Sequence, residues 1–391
     1  MPFDFDHVPN RRNPARRNKW NYYPADVLPM WVADMDFRAP APILRALHKA
    51  VNHGVLGYEL LPRSLQETVA ARMQRLYGWQ VVPAAVVATT GIVSAFNAAA
   101  RAFCSRGRGY VVQTPVYNEF HEVKNNVGIR QYNAPLLEFA KGRILEYAID
   151  WNVFARQVKR AGMFLLCNPH NPLGRVFTRK ELSWMARLCI ENDVVIVADE
   201  IHSELLLGAQ KFTPMAKLSK EIARRTITLV APSKAFNVPG LFCGFAIIPD
   251  DELRAKYVRV VEHLRLHVSS MGLFAAQAAF SGECDEWLSE LRAYLTGSRD
   301  LLVEYVKERM PEVRLTVPQA TYLGWLDFTA LVEAGQIQES PFEFFMKEAK
   351  VALSDGRIFG QDYQNYARLN FGCTRSTLMQ ALERMRKAIY R

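Results

Sequence analysis

The sequence predicts an α/β fold, with a mostly parallel central sheet, helices on both faces and a smaller α+β domain attached. Three observations lead there. In the middle of the chain, short β-rich runs alternate with longer runs of helical period, the rhythm of a parallel sheet. Successive runs end in polar or glycine-containing turns, the place where open parallel sheets collect ligands. The start of the chain, and everything from about Ser281, follows a different rhythm of amphipathic helices and isolated strands.

The candidate strands are 86–90, 110–114, 129–134, 163–168, 194–199, 226–231 and 243–248. Thr178 and Glu181 have the spacing of a capping box and open a helix that runs to about Asn192. The stretch 253–280 reads as one long helix or a broken pair. We therefore expect a large domain over 45–280 and a small domain built from both chain ends, 1–44 and 281–391. A length of 391 residues suits more than one domain at roughly 150 residues each, and buries a core without disulfides or a structural metal. Half the residues are hydrophobic and 23% charged, which excludes a disordered chain. The six cysteines are scattered with no CxxC pair, which points to a reducing cytoplasm and against zinc. The N-terminus lacks the apolar stretch of a secretory signal, and no run of about 18 apolar residues suggests a membrane span.

The formal charge of +10 invites a nucleic-acid partner, and Arg11, Arg12, Arg16, Arg17 and Lys19 cluster near the start. No nucleic-acid-binding motif accompanies them, so we read a solvated arm or one packed on a partner subunit, and no nucleic acid.

The strand ends carry the chemistry. The first runs into Gly91, Ile92 and Val93 ahead of a helix, where free backbone N–H groups make an anion site suited to phosphate. The second leads to Tyr117, whose ring can lie over a flat ligand or simply pack. The fourth ends in Asn168-Pro169-His170-Asn171, the fifth in Asp199-Glu200-Ile201-His202, the sixth in Ser233-Lys234. A lysine after a buried strand is ordinarily a snorkelling or salt-bridged residue. Buried among polar groups, its amine can become a nucleophile toward a carbonyl. Asp199, closing an interior strand, is either a cap or the partner of a cation such as the pyridinium of pyridoxal 5'-phosphate (PLP). Ser233 can add a hydroxyl to a phosphate site.

Taken in order, these residues resemble the fold type I (aspartate aminotransferase-like) PLP enzymes, and most closely the MalY/PatB-like carbon–sulfur β-lyases. The resemblance rests on KWNYYPADVLPMWVADMDF at 19–37, HGVLGYELLP at 53–62, QTPVYNEF at 113–120 and LLCNPHNPLGRVFTRKEL at 165–182. VADEIHSEL at 197–205, APSKAFNVPGL at 231–241, TYLGWLDF at 321–328 and RLNFGCTRSTLMQALERM at 368–385 extend it over almost the whole chain. It implies that Lys234 holds PLP and removes the substrate Cα proton, that Asp199 pairs with the pyridine nitrogen, and that Tyr117 stacks on the ring. Asn171 would bond the phenolic oxygen. Ile92 and Val93, after Gly91, would grip the phosphate with Ser233. Tyr58 would reach the phosphate of the neighbouring subunit, so a homodimer is implied. Arg368 would fork onto the α-carboxylate of an amino-acid substrate, a geometry lysine does not reproduce.

The implied reaction is β-elimination from cysteine S-conjugates such as L-cystathionine, giving a thiol, pyruvate and ammonia. Three positions depart from the related aminotransferases: His202 replaces a tyrosine, Phe242 an arginine, and Leu173 a threonine. The first two favour the lyase branch, with His202 at the cofactor; Leu173 implies a local packing change. An aminotransferase on the same residues is the alternative, and a regulatory PLP protein acting through protein contacts is another. His170 either lines the site or bonds backbone, while Trp20, Tyr22, Tyr23 and Trp31 read as core or as a rim at the entrance.

Overall fold

The computed structural model describes residues 3–13 and 15–391. All the candidate strands meet in one seven-stranded sheet. Its order is Val86–Thr89, Gly244–Ile247, Thr226–Val230, Val195–Asp199, Ala161–Cys167, Gly109–Val112 and Gln131–Asn133. Gly244–Ile247 runs antiparallel to both neighbours, and every other pairing is parallel.

The interior strands read as unbroken apolar runs because both faces are covered. Successive side chains point to opposite faces. Phe164, Leu166, Ile196 and Ala198 join Phe154 of the helix Trp151–Val158 and Leu182 and Met185 of Arg179–Glu191. Met163, Leu165, Val195 and Val197 face the other way, onto Phe96 of Ile92–Phe103 and Tyr257 of Asp251–His263. The capping box forms as expected: Thr178 accepts from the Glu181 N–H, and Glu181 reaches back to the Thr178 N–H. The stretch after Leu253 is a broken pair, Asp251–His263 and Ser270–Phe280.

A second sheet has six strands, in the order Ser354–Asp355, Tyr366–Asn370, Leu323–Asp327, Arg314–Leu315, Ile144–Ile149 and Leu136–Lys141. Its last two strands form a hairpin that arises mid-chain, between strands of the first sheet, and joins the second by the Ile144–Leu315 pairing. Gly142 sits at the first position of the two-residue turn with φ of +61°, where glycine is favoured. Leu28–Pro29 pairs with Val351–Ala352, so the two chain ends meet. Among the described residues no helix is long and apolar enough to cross a membrane.

Candidate active site

The carboxyl ends of the first sheet's strands open into a cavity of about 640 Å³. Gly91, Ile92, Val93, Tyr117, Asn171, Asp199, His202, Ser233, Lys234 and Arg368 all line it. Tyr58 does not. It is fully exposed and lines a separate groove of about 770 Å³ beside the helices Ala41–His53 and Ser270–Phe280.

At one end, Gly91 caps the helix Ile92–Phe103 with φ of +111° and no side-chain cap. The first helical bond runs from the Ala95 N–H to the Gly91 carbonyl at 3.1 Å. The earlier N–H groups of Ile92, Val93 and Ser94 therefore face outward with the helix dipole behind them, a cradle for an anion.

Asp199 ends its strand 6% exposed, and one of its oxygens accepts the Ile201 N–H at 3.1 Å. Burial pushes its carboxyl up to about 7, against the opposing pull of that N–H and of Lys234. A carboxylate so placed is stabilised by a cation arriving at its free oxygen. Lys234 lies in the short helix Pro232–Ala235 and donates from Nζ to the Ala33 carbonyl at 2.7 Å. Burial, helped by the Arg368 charge, lowers its amine to about 8, while Asp34 and Asp199 resist. Near neutral pH an appreciable fraction is the free amine, the form that attacks a carbonyl.

Arg368 comes from the second sheet, on Tyr366–Asn370. Its Nη1 donates to Asn171 Oδ1 at 3.0 Å, and its Nη2 to the Trp31 carbonyl at 2.9 Å and Ser354 Oγ at 3.1 Å. Nε has no partner, and the guanidinium lies 4.9 Å from the Phe359 ring centroid. Burial lowers its pKa to about 10, which leaves it cationic at pH 7. Among the described residues every acceptor of its hydrogen bonds is neutral and none is a carboxylate, so the guanidinium is suited to receive an anionic ligand group.

Asn171 directs Oδ1 to Arg368, which leaves its amide N–H₂ to donate elsewhere. Tyr117 donates its backbone N–H to the Asn171 carbonyl at 3.1 Å, and burial pushes its hydroxyl up to about 12. His202 is 3% exposed; burial, then Lys234 and Arg368, press it down to about 3, so the ring is neutral. His170 is also buried, with Nε2 3.3 Å from the Gln113 carbonyl. Leu173 is absorbed into the core beneath the loop, and Phe242 stands at the cavity rim, largely exposed. These residues fit PLP: an N–H cradle for phosphate, a carboxylate for the ring nitrogen, an amine for the aldehyde.

Sequence reasoning missed what holds the segment 31–37 over this cavity. Lys19 and Arg11 do not form a solvated arm. Lys19 lies 2.9 Å from Asp34 and 3.1 Å from Asp36, and Arg11 lies 2.8 Å from each. Arg12 donates to the Trp20 and Val27 carbonyls. The available signal was the pair of acids at Asp34 and Asp36, close enough in sequence to share cations. Trp31 packs with Tyr22 and Tyr23, ring centroids 5.1 and 5.9 Å away, and lines the cavity.

Comparison with known proteins finds relatives along nearly the whole chain. Residues 31–385 match the family model of aminotransferase class I and II. Cystathionine beta-lyase PatB of Bacillus subtilis (strain 168) is 37% identical over 368 residues, 93% of each chain. Cystathionine beta-lyase of Corynebacterium glutamicum is 31% identical over 98% of each. The crystal structure of the PLP-bound C-S lyase from Staphylococcus hominis superposes with a TM-score of 0.92 at 27% identity, covering 100% of this chain and 99% of the other.

Proposed function

Because the chain belongs to the aminotransferase class I and II family, we propose that it is a PLP-dependent carbon–sulfur β-lyase of the cystathionine β-lyase type. Its substrates are cysteine S-conjugates such as L-cystathionine, and its products a thiol, pyruvate and ammonia. The observation that carries the amino-acid substrate is Arg368, a buried guanidinium bonded to no carboxylate among the described residues and sharing a cavity with Lys234.

Bound PLP would supply an electron sink for the electron pair left when the Cα proton is removed. Lys234 would hold the cofactor and, as a free amine, would take the Cα proton on Nζ. Asp199 would keep the ring nitrogen protonated, Tyr117 would cover the ring, and Asn171 would donate to the phenolic oxygen, with His202 alongside. Ile92, Val93 and Ser233 anchor the phosphate beside Gly91. Arg368 fixes the α-carboxylate and so orients the Cα–H bond toward Lys234. In the net reaction one water is consumed and the carbon–sulfur bond breaks with its electron pair on sulfur; the proton held on Lys234 Nζ would pass to that sulfur, so that a thiol leaves alongside pyruvate and ammonia.

A homodimer suits the exposed segment after Gly54, where Val55, Leu56, Tyr58 and Leu60 are all exposed apolar side chains on one surface stretch. In that assembly Tyr58 extends to the neighbouring phosphate. The six free cysteines suit a reducing cytoplasm.

The test is incubation of the PLP-loaded protein with L-cystathionine in the absence of any keto acid. Continuous pyruvate formation supports the lyase. Turnover that depends on added 2-oxoglutarate makes the protein an aminotransferase instead.

A further inference from the structure

The segment Trp31–Phe37 touches both functional cations. Its Trp31 carbonyl accepts from Arg368 at 2.9 Å, and its Ala33 carbonyl accepts from Lys234 at 2.7 Å and from the Tyr322 hydroxyl at 2.8 Å. Two asparagines tie the same segment to the strands and turns that carry those cations. Asn237, three residues beyond Lys234, accepts the Met35 N–H and donates to the Met35 and Phe37 carbonyls. Asn370, two residues beyond Arg368, donates to the Val32 and Asp34 carbonyls.

Asn237 and Asn370 grip only backbone. The side chains of the segment are held from below by a neutral knot of two cations and two anions. Lys19, 5% exposed, reaches Asp34 at 2.9 Å, Asp36 at 3.1 Å and the Asp34 carbonyl at 3.1 Å. Arg11 spans both acids and the Met35 carbonyl, and Trp20 Nε1 donates to Asp36 at 2.8 Å. Burial works against the Asp34 carboxylate, but the two cations outweigh it and hold its pKa below the ordinary value. A knot this buried is either fully paired or strongly destabilising, so removing one cation must move the segment or its acids.

We propose that Lys19 is a positioning residue for Arg368: through Asp34 and Asp36 it sets where the Trp31 carbonyl stands, and thereby where the guanidinium meets the substrate carboxylate. Lys19 does not line the cavity itself. The inference deepens the amino-acid-binding reading of the cavity and rests on it. A displacement of about 1 Å is enough to cost an order of magnitude or more in a site of this kind.

The test compares wild type, Lys19→Met, Lys19→Arg and Arg11→Gln as PLP-loaded protein of matched cofactor content. The measurements are kcat and KM with L-cystathionine, the apparent Kd of L-alanine read from the visible absorbance of the cofactor, and Tm. L-Alanine has the α-carboxylate but no leaving group, so it reports Arg368 whether or not the lyase reading holds. Lys19→Met is expected to raise both KM and the alanine Kd about tenfold with a smaller change in kcat, and Lys19→Arg to restore most of the loss. Should Lys19→Met not fold, Arg11→Gln decides, with a rise of roughly threefold expected because one cation stays. A fall in Tm with KM and alanine Kd at wild-type values overturns the proposal. Wild type that binds alanine but releases no pyruvate overturns the lyase reading alone, and the alanine Kd then decides this one.

Discussion

Arg368 donates from Nη1 to Asn171 Oδ1 at 3.0 Å, which joins the second sheet to a strand-end loop of the first. The bond fixes two things at once. It orients the Asn171 amide so that its N–H₂ faces away from Arg368, and it holds the guanidinium with neutral acceptors only. A buried guanidinium held this way is costly to the fold, so if it serves to bind a substrate carboxylate, affinity and stability pull in opposite directions at this residue.

Arg368→Lys should raise the KM for L-cystathionine by roughly 10–100-fold, since a single ammonium replaces a two-pronged contact worth about 1.5–3 kcal/mol. Arg368→Met should weaken binding further while leaving Tm unchanged or higher, because it removes an unpaired buried charge. Steady-state kinetics and thermal melting of the same preparations check both. A wild-type KM in the methionine variant would remove Arg368 from substrate binding.

Lys234→Ala should lower β-elimination by about 10³-fold, within the range general base catalysis contributes. The pH dependence of loading gives a finer measure. The amine sits at about 8, below the ordinary lysine value, so below that pH it is charged and unreactive. The rate at which cofactor-free protein takes up PLP should therefore climb through about pH 8 and level off above it. The same lowering means that the unfolded chain binds more protons than the folded one between about 8 and the ordinary lysine value, so this residue's contribution to stability rises with pH across that window. Stopped-flow absorbance at several pH values reads the loading rate, and a flat profile from pH 7 to 9 contradicts the assignment.

Gly91 isolates a backbone effect. A Cβ at this position meets nothing within 4 Å, yet φ is +111°, where other residues are strained. Gly91→Ala should cost about 1–3 kcal/mol through strain alone and turn the N–H groups of Ile92 and Val93 away from the phosphate. Denaturant unfolding and PLP titration should both register the change, and an unperturbed protein with wild-type PLP affinity would show that the cradle is not at this helix end.

Most interior strands of the first sheet were legible in sequence because burial on both faces makes them largely apolar, as in 194–199. The hairpin Leu136–Ile149 was not. Leu137 and Phe139 point outward and remain substantially exposed, so LLEFAK carries neither a clean alternation nor an apolar run. Only the glycine at the two-residue turn marked it. The cavity residues of the first sheet were legible because they follow strand ends, Arg368 within Tyr366–Asn370 only through the family resemblance, whereas Lys19 and Arg11 find their acids through the fold. A basic cluster read from sequence has no way to distinguish solvated charge from charge paired 15 or more positions away.

Tyr58 carries the remaining test: it is fully exposed, and the proposed homodimer assigns it to the neighbouring site. If the tyrosine serves the neighbouring site, a subunit with Tyr58→Ala still provides Lys234, and one with Lys234→Ala still provides Tyr58. A mixed dimer of the two then contains one site with both residues intact. Co-expression of differently tagged subunits, followed by tandem purification, should give pyruvate formation well above that of either homodimer. Activity no greater than that of the Tyr58→Ala homodimer alone would mean that each chain completes its own site. Since Tyr58 lines a groove apart from the cavity that holds Lys234, that outcome would leave the tyrosine as an interface residue with no part in phosphate binding.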